Sequence, residues 1–152
     1  MSLDKKDKVL IHALQRNARL SNSALAHMTN LSDTPCLRRV KKLEQEGVIQ
    51  GYHAALNRKA LGLAVLVYAF VRLNENSATA ADSFEQHVAS LDHVLSCSVI
   101  SGSYDYLLEV VAHDLEHYEF FLKHRLATHQ HVTSVESTIV LKQTFTRRTL
   151  PI

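Results

Sequence analysis

The chain has 152 residues, is 46% hydrophobic and holds only four Gly and two Pro, which excludes a disordered polymer and allows one large or two small domains. Two cysteines without metal-ligand spacing exclude a disulfide scaffold, and the apolar run Leu61–Leu73 is too short, and too interrupted by Arg72, to cross a membrane. The net charge of +2 hides a split: residues 1–60 carry eleven Lys/Arg against five Asp/Glu, whereas residues 61–152 carry six against ten.

A basic module joined to an acidic one suits an anionic polymer at one end and a different partner at the other. Met1-Ser2-Leu3-Asp4 does not open a signal peptide, so a cytoplasmic location is expected. Cys36 and Cys97 are expected as reduced thiols packed like small apolar groups.

Asp4 is a candidate N-cap for a first helix of about three turns, with Leu10, Ile11 and Leu14 facing inward and Arg16-Asn17-Ala18-Arg19 marking its end. Ser21 caps a shorter helix carrying Leu25, Ala26 and Met28, and Asn30-Leu31 supplies a tight turn, since Asn tolerates a left-handed backbone. Ser32 then caps a third helix that runs to Gly47. Its Leu37, Val40 and Leu43 recur at helical spacing and pack inward, while Arg38, Arg39, Lys41 and Lys42 project as cationic donors. Three helices with a tight turn between the last two form a helix-turn-helix, whose final helix enters the major groove of double-stranded DNA.

Val48–Tyr52 reads as a connecting strand and Asn57–Gly62 as a turn, which places a helix-turn-helix domain with its linker strand over 1–62. Ala64–Leu73 is a strand, and Phe84, Val88 and Leu91 share one face of a helix over 79–91. Val94–Ile100 and Asp105–Val111 form a hairpin around Ser101-Gly102-Ser103. Asp114 caps a helix with Leu115, Tyr118, Phe121, Leu122 and Leu126 on its apolar face, and Val132–Leu141 is the last strand. The order β-α-β-β-α-β over 63–152 predicts a ferredoxin-like αβ-sandwich, so the whole chain is α+β. Both helices cover one face of the sheet, and the other face calls for a second subunit.

On the third helix, Thr34, Pro35 and Arg38 are placed for base edges, and Arg39 and Lys42 for phosphate. Ser21, Asn22 and Ser32 at helix starts can add hydrogen bonds to phosphate, although capping alone would account for them. Asp33 at the helix start suits the macrodipole but repels a nearby phosphate. His113-Asp114-Leu115-Glu116-His117 matches an inverted zinc-protease pattern, yet an N-cap at Asp114 leaves His113 outside the helix, so no metal is expected. No phosphate loop or nucleophile elbow occurs, and no enzymatic activity is expected.

Several segments in order resemble the Lrp/AsnC family of feast/famine transcription regulators: Leu3-Asp4…Asp7…Leu10-Ile11, Ala18-Arg19-Leu20-Ser21-Asn22, Leu31-Ser32…Thr34-Pro35-Cys36-Leu37-Arg38-Arg39-Val40, Glu46-Gly47-Val48-Ile49…Gly51-Tyr52, Ser101-Gly102…Asp105-Tyr106-Leu107-Leu108 and Leu150-Pro151-Ile152. The resemblance covers nearly the whole chain. Asp33 stands where the family commonly has proline, and Asn30 where it often has glycine.

The resemblance implies sequence-specific regulation of transcription through operator DNA, modulated by a small amino-acid effector rather than a cofactor. It also implies a homodimer that assembles further into tetramers or octamers. For the effector it implicates the hairpin loop: Ser101 and Gly102 offering backbone N–H groups to a carboxylate, Tyr104 as a wall and Asp105 accepting the ammonium, with Ser134, Ser137 and Thr138 on the last strand. Two other readings remain open at this level: a metabolite-binding or enzymatic ferredoxin-like protein, and a chromosome-architectural DNA binder.

Overall fold

The computed structural model describes residues 2–152, which divide into two compact units. One is Met1–Ala55 together with Thr144–Ile152, and the other is Leu56–Gln143. By contacts, the closing segment groups with the first unit, so the chain passes from one unit to the other twice.

In the first unit, α1 (Lys5–Arg16), α2 (Asn22–Thr29) and α3 (Asp33–Gln45) follow one another closely. Asp4 and Asp7 form a reciprocal capping box that satisfies two orphan amides of α1. Ser21 caps α2 by accepting from the Ala24 amide, and Asn30 turns the chain at φ +50°. Leu10, Ile11, Leu25, Ala26, Cys36, Val40 and Leu43 form the core. Leu37, expected inside, is 43% exposed, because Cys36 takes the inward position one residue earlier. Met28 is likewise exposed.

No strand forms over 48–52. Gly47 adopts φ +71°, a left-handed conformation that folds the Val48 and Ile49 amides back onto the Leu43 carbonyl. Those amides close the helix instead of entering a ladder. Tyr52 then pins the linker to α3 by donating to Glu44 at 2.8 Å, and its hydroxyl pKa is pushed up to about 12, first by burial and then by that carboxylate.

The second unit runs β1 (Val65–Leu73), α4 (Ala78–Ala89), β2 (Val94–Val99), β3 (Tyr106–Ala112), α5 (Leu115–Phe121) and β4 (Val132–Ile139). Its antiparallel sheet has the order β2-β3-β1-β4. Val67, Ala69 and Val71 of β1, with Tyr106, Leu108 and Val110 of β3, pack against Phe84 and Val88 of α4 and against Tyr118 and Phe121 of α5. By alternation, Tyr68, Phe70 and Arg72 face the other side together with Leu107 and Glu109 of β3 and Ser134, Glu136 and Thr138 of β4.

Leu115 is 53% exposed and does not join the apolar face of α5. After Phe121 the helix widens into a π-turn over Leu122–Leu126, closed by the Ala127 amide on the Leu122 carbonyl, which brings Leu126 back into the core. Both thiols are free; Cys36 is buried, but Cys97 is exposed on the edge strand β2 rather than packed in a core.

Candidate functional site

The outer surface of α3 is built by helical phase. Cys36, Val40 and Leu43 lock one side into the core, which turns Thr34, Pro35, Arg38, Lys41 and Lys42 outward as exposed residues. Lys42 is loosely held by Glu46 at 3.7 Å, a spacing from which a surface lysine is released at little cost.

Arg39 differs. Its Nη1 donates to Asp4 at 2.6 Å and to Asp7 at 2.8 Å, joining α3 to the capping box of α1. The two carboxylates hold the guanidinium pKa above its usual value, Asp7 contributing more than Asp4. The Asp7 amide, then Arg39, keeps the Asp4 carboxyl below the normal carboxylate range. Arg39, expected on phosphate, ties two helices together in this structure. The clue was Asp4 and Asp7 three residues apart, which the capping argument alone had absorbed.

Around the turn, Asn22 Nδ2 donates to the Asp33 carbonyl at 2.9 Å and Ser23 Oγ to the Asp33 carboxylate at 3.2 Å. Ser32 occupies the N-cap position of α3 but its side chain makes no capping bond; these ties from α2 hold the helix start instead. Asp33 is accordingly a structural acceptor, and Asn22 uses one of its two amide N–H donors within the protein. Its Oδ1 is buried without a partner.

In the second unit, the hairpin loop and β4 bring together only part of the expected effector set. Gly102 sits at φ +121° in open space, and Ser101 is exposed beside it. Tyr104 packs against Phe70 with ring centroids 5.6 Å apart, lies under the Arg72 guanidinium at 5.3 Å, and donates its hydroxyl to Glu136. That carboxylate raises the Tyr104 pKa. Arg72 Nε also donates to the Ser103 carbonyl at 2.9 Å.

Asp105 is stapled to β1: its amide donates to the Val71 carbonyl and its Oδ2 accepts from the Leu73 amide at 2.7 Å. One carboxylate oxygen is therefore used at the irregularity between Arg72 and Leu73. Ser134 and Thr138 share the open face with Tyr104, opposite Arg72 and Tyr68. Ser137 points to the other side, where its hydroxyl meets that of Tyr118 at 2.6 Å. Phe70, Arg72 and Glu136, which contact Tyr104, were not among the residues expected from the sequence, although Arg72 is the only charge in β1.

The histidine pattern resolves as local contacts. Asp114 caps α5, accepting from the His117 amide and approaching His117 Nδ1 at 2.8 Å, while His113 Nδ1 meets the Gly62 carbonyl. The two rings nevertheless lie edge to face at 5.4 Å. Among the described residues, no three His, Cys, Asp or Glu side chains converge as a metal cage.

The profile of the Lrp/AsnC ligand binding domain matches residues 66–150, and that of a winged helix-turn-helix DNA-binding domain matches residues 3–50. The chain belongs to the Lrp/AsnC family. Among its relatives, the leucine-responsive regulatory proteins of Klebsiella pneumoniae and Escherichia coli (strain K12) are each 34% identical over 141 residues, spanning 93% of this chain and 86% of theirs. A Neisseria meningitidis transcriptional regulator in complex with L-methionine superposes with a TM-score of 0.92 at 33% identity, covering 99% of this chain and 97% of that one. The feast or famine regulatory protein of M. tuberculosis complexed with L-methionine gives 0.87 at 28% identity, covering 98% and 99%. In this Lrp/AsnC chain, the helix-turn-helix carries the DNA-binding surface and the αβ-sandwich the ligand-binding domain.

Proposed function

We propose that this Lrp/AsnC protein is a sequence-specific transcription regulator in which α3 reads operator DNA and a small apolar amino acid, bound at the hairpin loop, adjusts its affinity. The observation that carries the reading is the exposed cationic face of α3, held rigid by ties to both neighbouring helices. Arg38, in the first half of the helix, is assigned to base edges, with Thr34 and Pro35 beside it; Lys41 and Lys42 are assigned to phosphate.

The two relatives solved with L-methionine support an apolar amino acid as the effector class. In this chain Phe70 and Tyr104 supply apolar wall, Ser101 and Gly102 backbone donors, and Glu136 or the free oxygen of Asp105 an ammonium acceptor. The open sheet face bearing Tyr68, Phe70 and Leu107 supports self-association as a homodimer, from which larger assemblies follow. A cytoplasmic, non-enzymatic role accords with this reading.

Fluorescence anisotropy with operator and scrambled duplexes, titrated with salt and with L-methionine or L-leucine, tests the reading. Steep salt dependence, a preference for operator and a shift on adding amino acid are expected. Equal affinity for both duplexes would favour an architectural role, and salt-independent weak binding would remove DNA from the function.

A further inference from the structure

The first unit is closed by residues from the far end of the chain. Gln15 on α1 grips the main chain of Leu150 from both sides: its Oε1 accepts from the Leu150 amide at 2.5 Å and its Nε2 faces the Leu150 carbonyl at 3.4 Å. A side-chain amide used this way imitates one rung of a β-ladder, and Pro151, which has no N–H, ends the pairing at one residue. Beyond it, Ile152 forms one wall of an open crevice of about 580 Å³ whose apolar lining is completed by Val9, Ala13, Leu20 and Met28. Val9 and Met28 stay half exposed even with Ile152 beside them, so the crevice remains open to solvent.

The docking is shallow. Leu150 remains 70% exposed and Ile152 48% exposed, so few apolar atoms oppose release. Position in the chain gives the contact its importance. Only residues 140–143 separate the end of β4 from Thr144, and β4 carries Ser134, Glu136 and Thr138 on the open face beside Tyr104. The helix-turn-helix is therefore joined to the ligand-binding half twice, through residues 55–56 and again through 143–144.

We propose that Thr144–Ile152 is a releasable strap, docked on α1 by Gln15 and Ile152, through which the state of β4 is relayed to the DNA-binding helices. The proposal rests on the amino-acid-responsive reading above. A shift of β4 reaches Leu150 along a short irregular segment, and a strap that is docked or released biases α1, to which α3 is tied by Arg39.

The test uses the full chain with Gln15→Ala and, separately, Ile152→Asp, an exposed change at a position outside any helix. Amide exchange at Leu150, calorimetry with L-methionine and L-leucine, and DNA affinity with and without those amino acids are measured together. The strap predicts a protected Leu150 amide that loses about tenfold protection in either variant. Amino-acid affinity stays unchanged, while the amino-acid effect on DNA affinity shrinks to within about twofold. An unprotected Leu150 amide in the unaltered chain overturns the docking, and an undiminished amino-acid effect in variants that have lost protection overturns the relay. If neither amino acid alters DNA binding by the unaltered chain, both the effector reading and the relay fall, and Leu150 protection alone still decides whether the segment docks.

Discussion

The two units are held together by different physics. In the ligand-binding unit, a continuous apolar layer between sheet and helices does the work, with Phe84, Val88, Tyr118, Phe121 and Leu126 buried against β1 and β3. In the helix-turn-helix the core is smaller, and polar ties supplement it: Arg39 to Asp4 and Asp7, Asn22 and Ser23 to Asp33, Tyr52 to Glu44. A surface that must stay cationic for DNA cannot also supply apolar area, so this unit spends its few acids on internal ties and leaves its free cations outside.

The sharpest way to break that comparison is to strike each unit at its own support. Phe84→Ala is expected to cost the second unit about 3–5 kcal/mol by cavity formation, seen as a lowered transition in calorimetry while the helix-turn-helix transition stays in place. If both transitions move together, the units do not melt separately and the contrast fails.

Arg39→Ala leaves Asp7 and Asp4 without their cation and should lower the melting temperature of the first unit, by less than Phe84→Ala lowers that of the second, because the pairs are partly solvated. Arg38→Ala should instead leave stability unchanged and weaken operator binding by about 1–3 kcal/mol. The salt slope separates them: Lys42→Ala flattens it, whereas Arg39→Ala leaves it as it was. A flattened slope in Arg39→Ala would return that residue to phosphate contact.

A gentler probe is pH. His129 lies between α4 and β4 within 5.0 Å of the His87 ring and 5.6 Å of the His131 ring, and its Nε2 meets Ser83 Oγ at 3.1 Å. Burial first, and then charge on His87 and His131, lowers its pKa below the ordinary 6.5. With the folded pKa below the unfolded one, the unfolded chain takes the proton first as pH falls. The second unit should therefore lose stability as pH drops through 6.5 toward the lowered value, while His129→Gln reduces the slope there. An unchanged slope in that variant would assign the acid sensitivity to other groups. The smallest expected effect is Tyr118→Phe, about 0.5–1.5 kcal/mol for the lost bond to Ser137.

Elements whose evidence is periodic were legible in the sequence. The capped helices α1 and α2, the turn at Asn30 and the β-α-β-β-α-β order all follow from residue spacing and local chemistry. What escaped depends on partners distant along the chain. Nothing near Arg39 says that it pairs with Asp4, and nothing near Ser137 says that Tyr118 lies opposite. Val48–Tyr52 has strand composition, but a strand also needs a neighbour, and Gly47 had already committed its first amides to α3. The one-residue shift from Leu37 to Cys36 reflects the same limit, since either residue fits an apolar stripe until the facing helices set the phase.

The return of Thr144–Ile152 to α1 also sets an order of events in synthesis. The contacts among α1, α2 and α3 are local, so that part can fold as soon as its residues leave the ribosome. The rung between Gln15 and Leu150 closes a loop of 135 residues and must wait until the entire sandwich has been made. A nascent helix-turn-helix thus spends that interval without Ile152 beside Val9 and Met28, and chains halted before residue 144 would carry a folded DNA-binding domain whose last contact never forms.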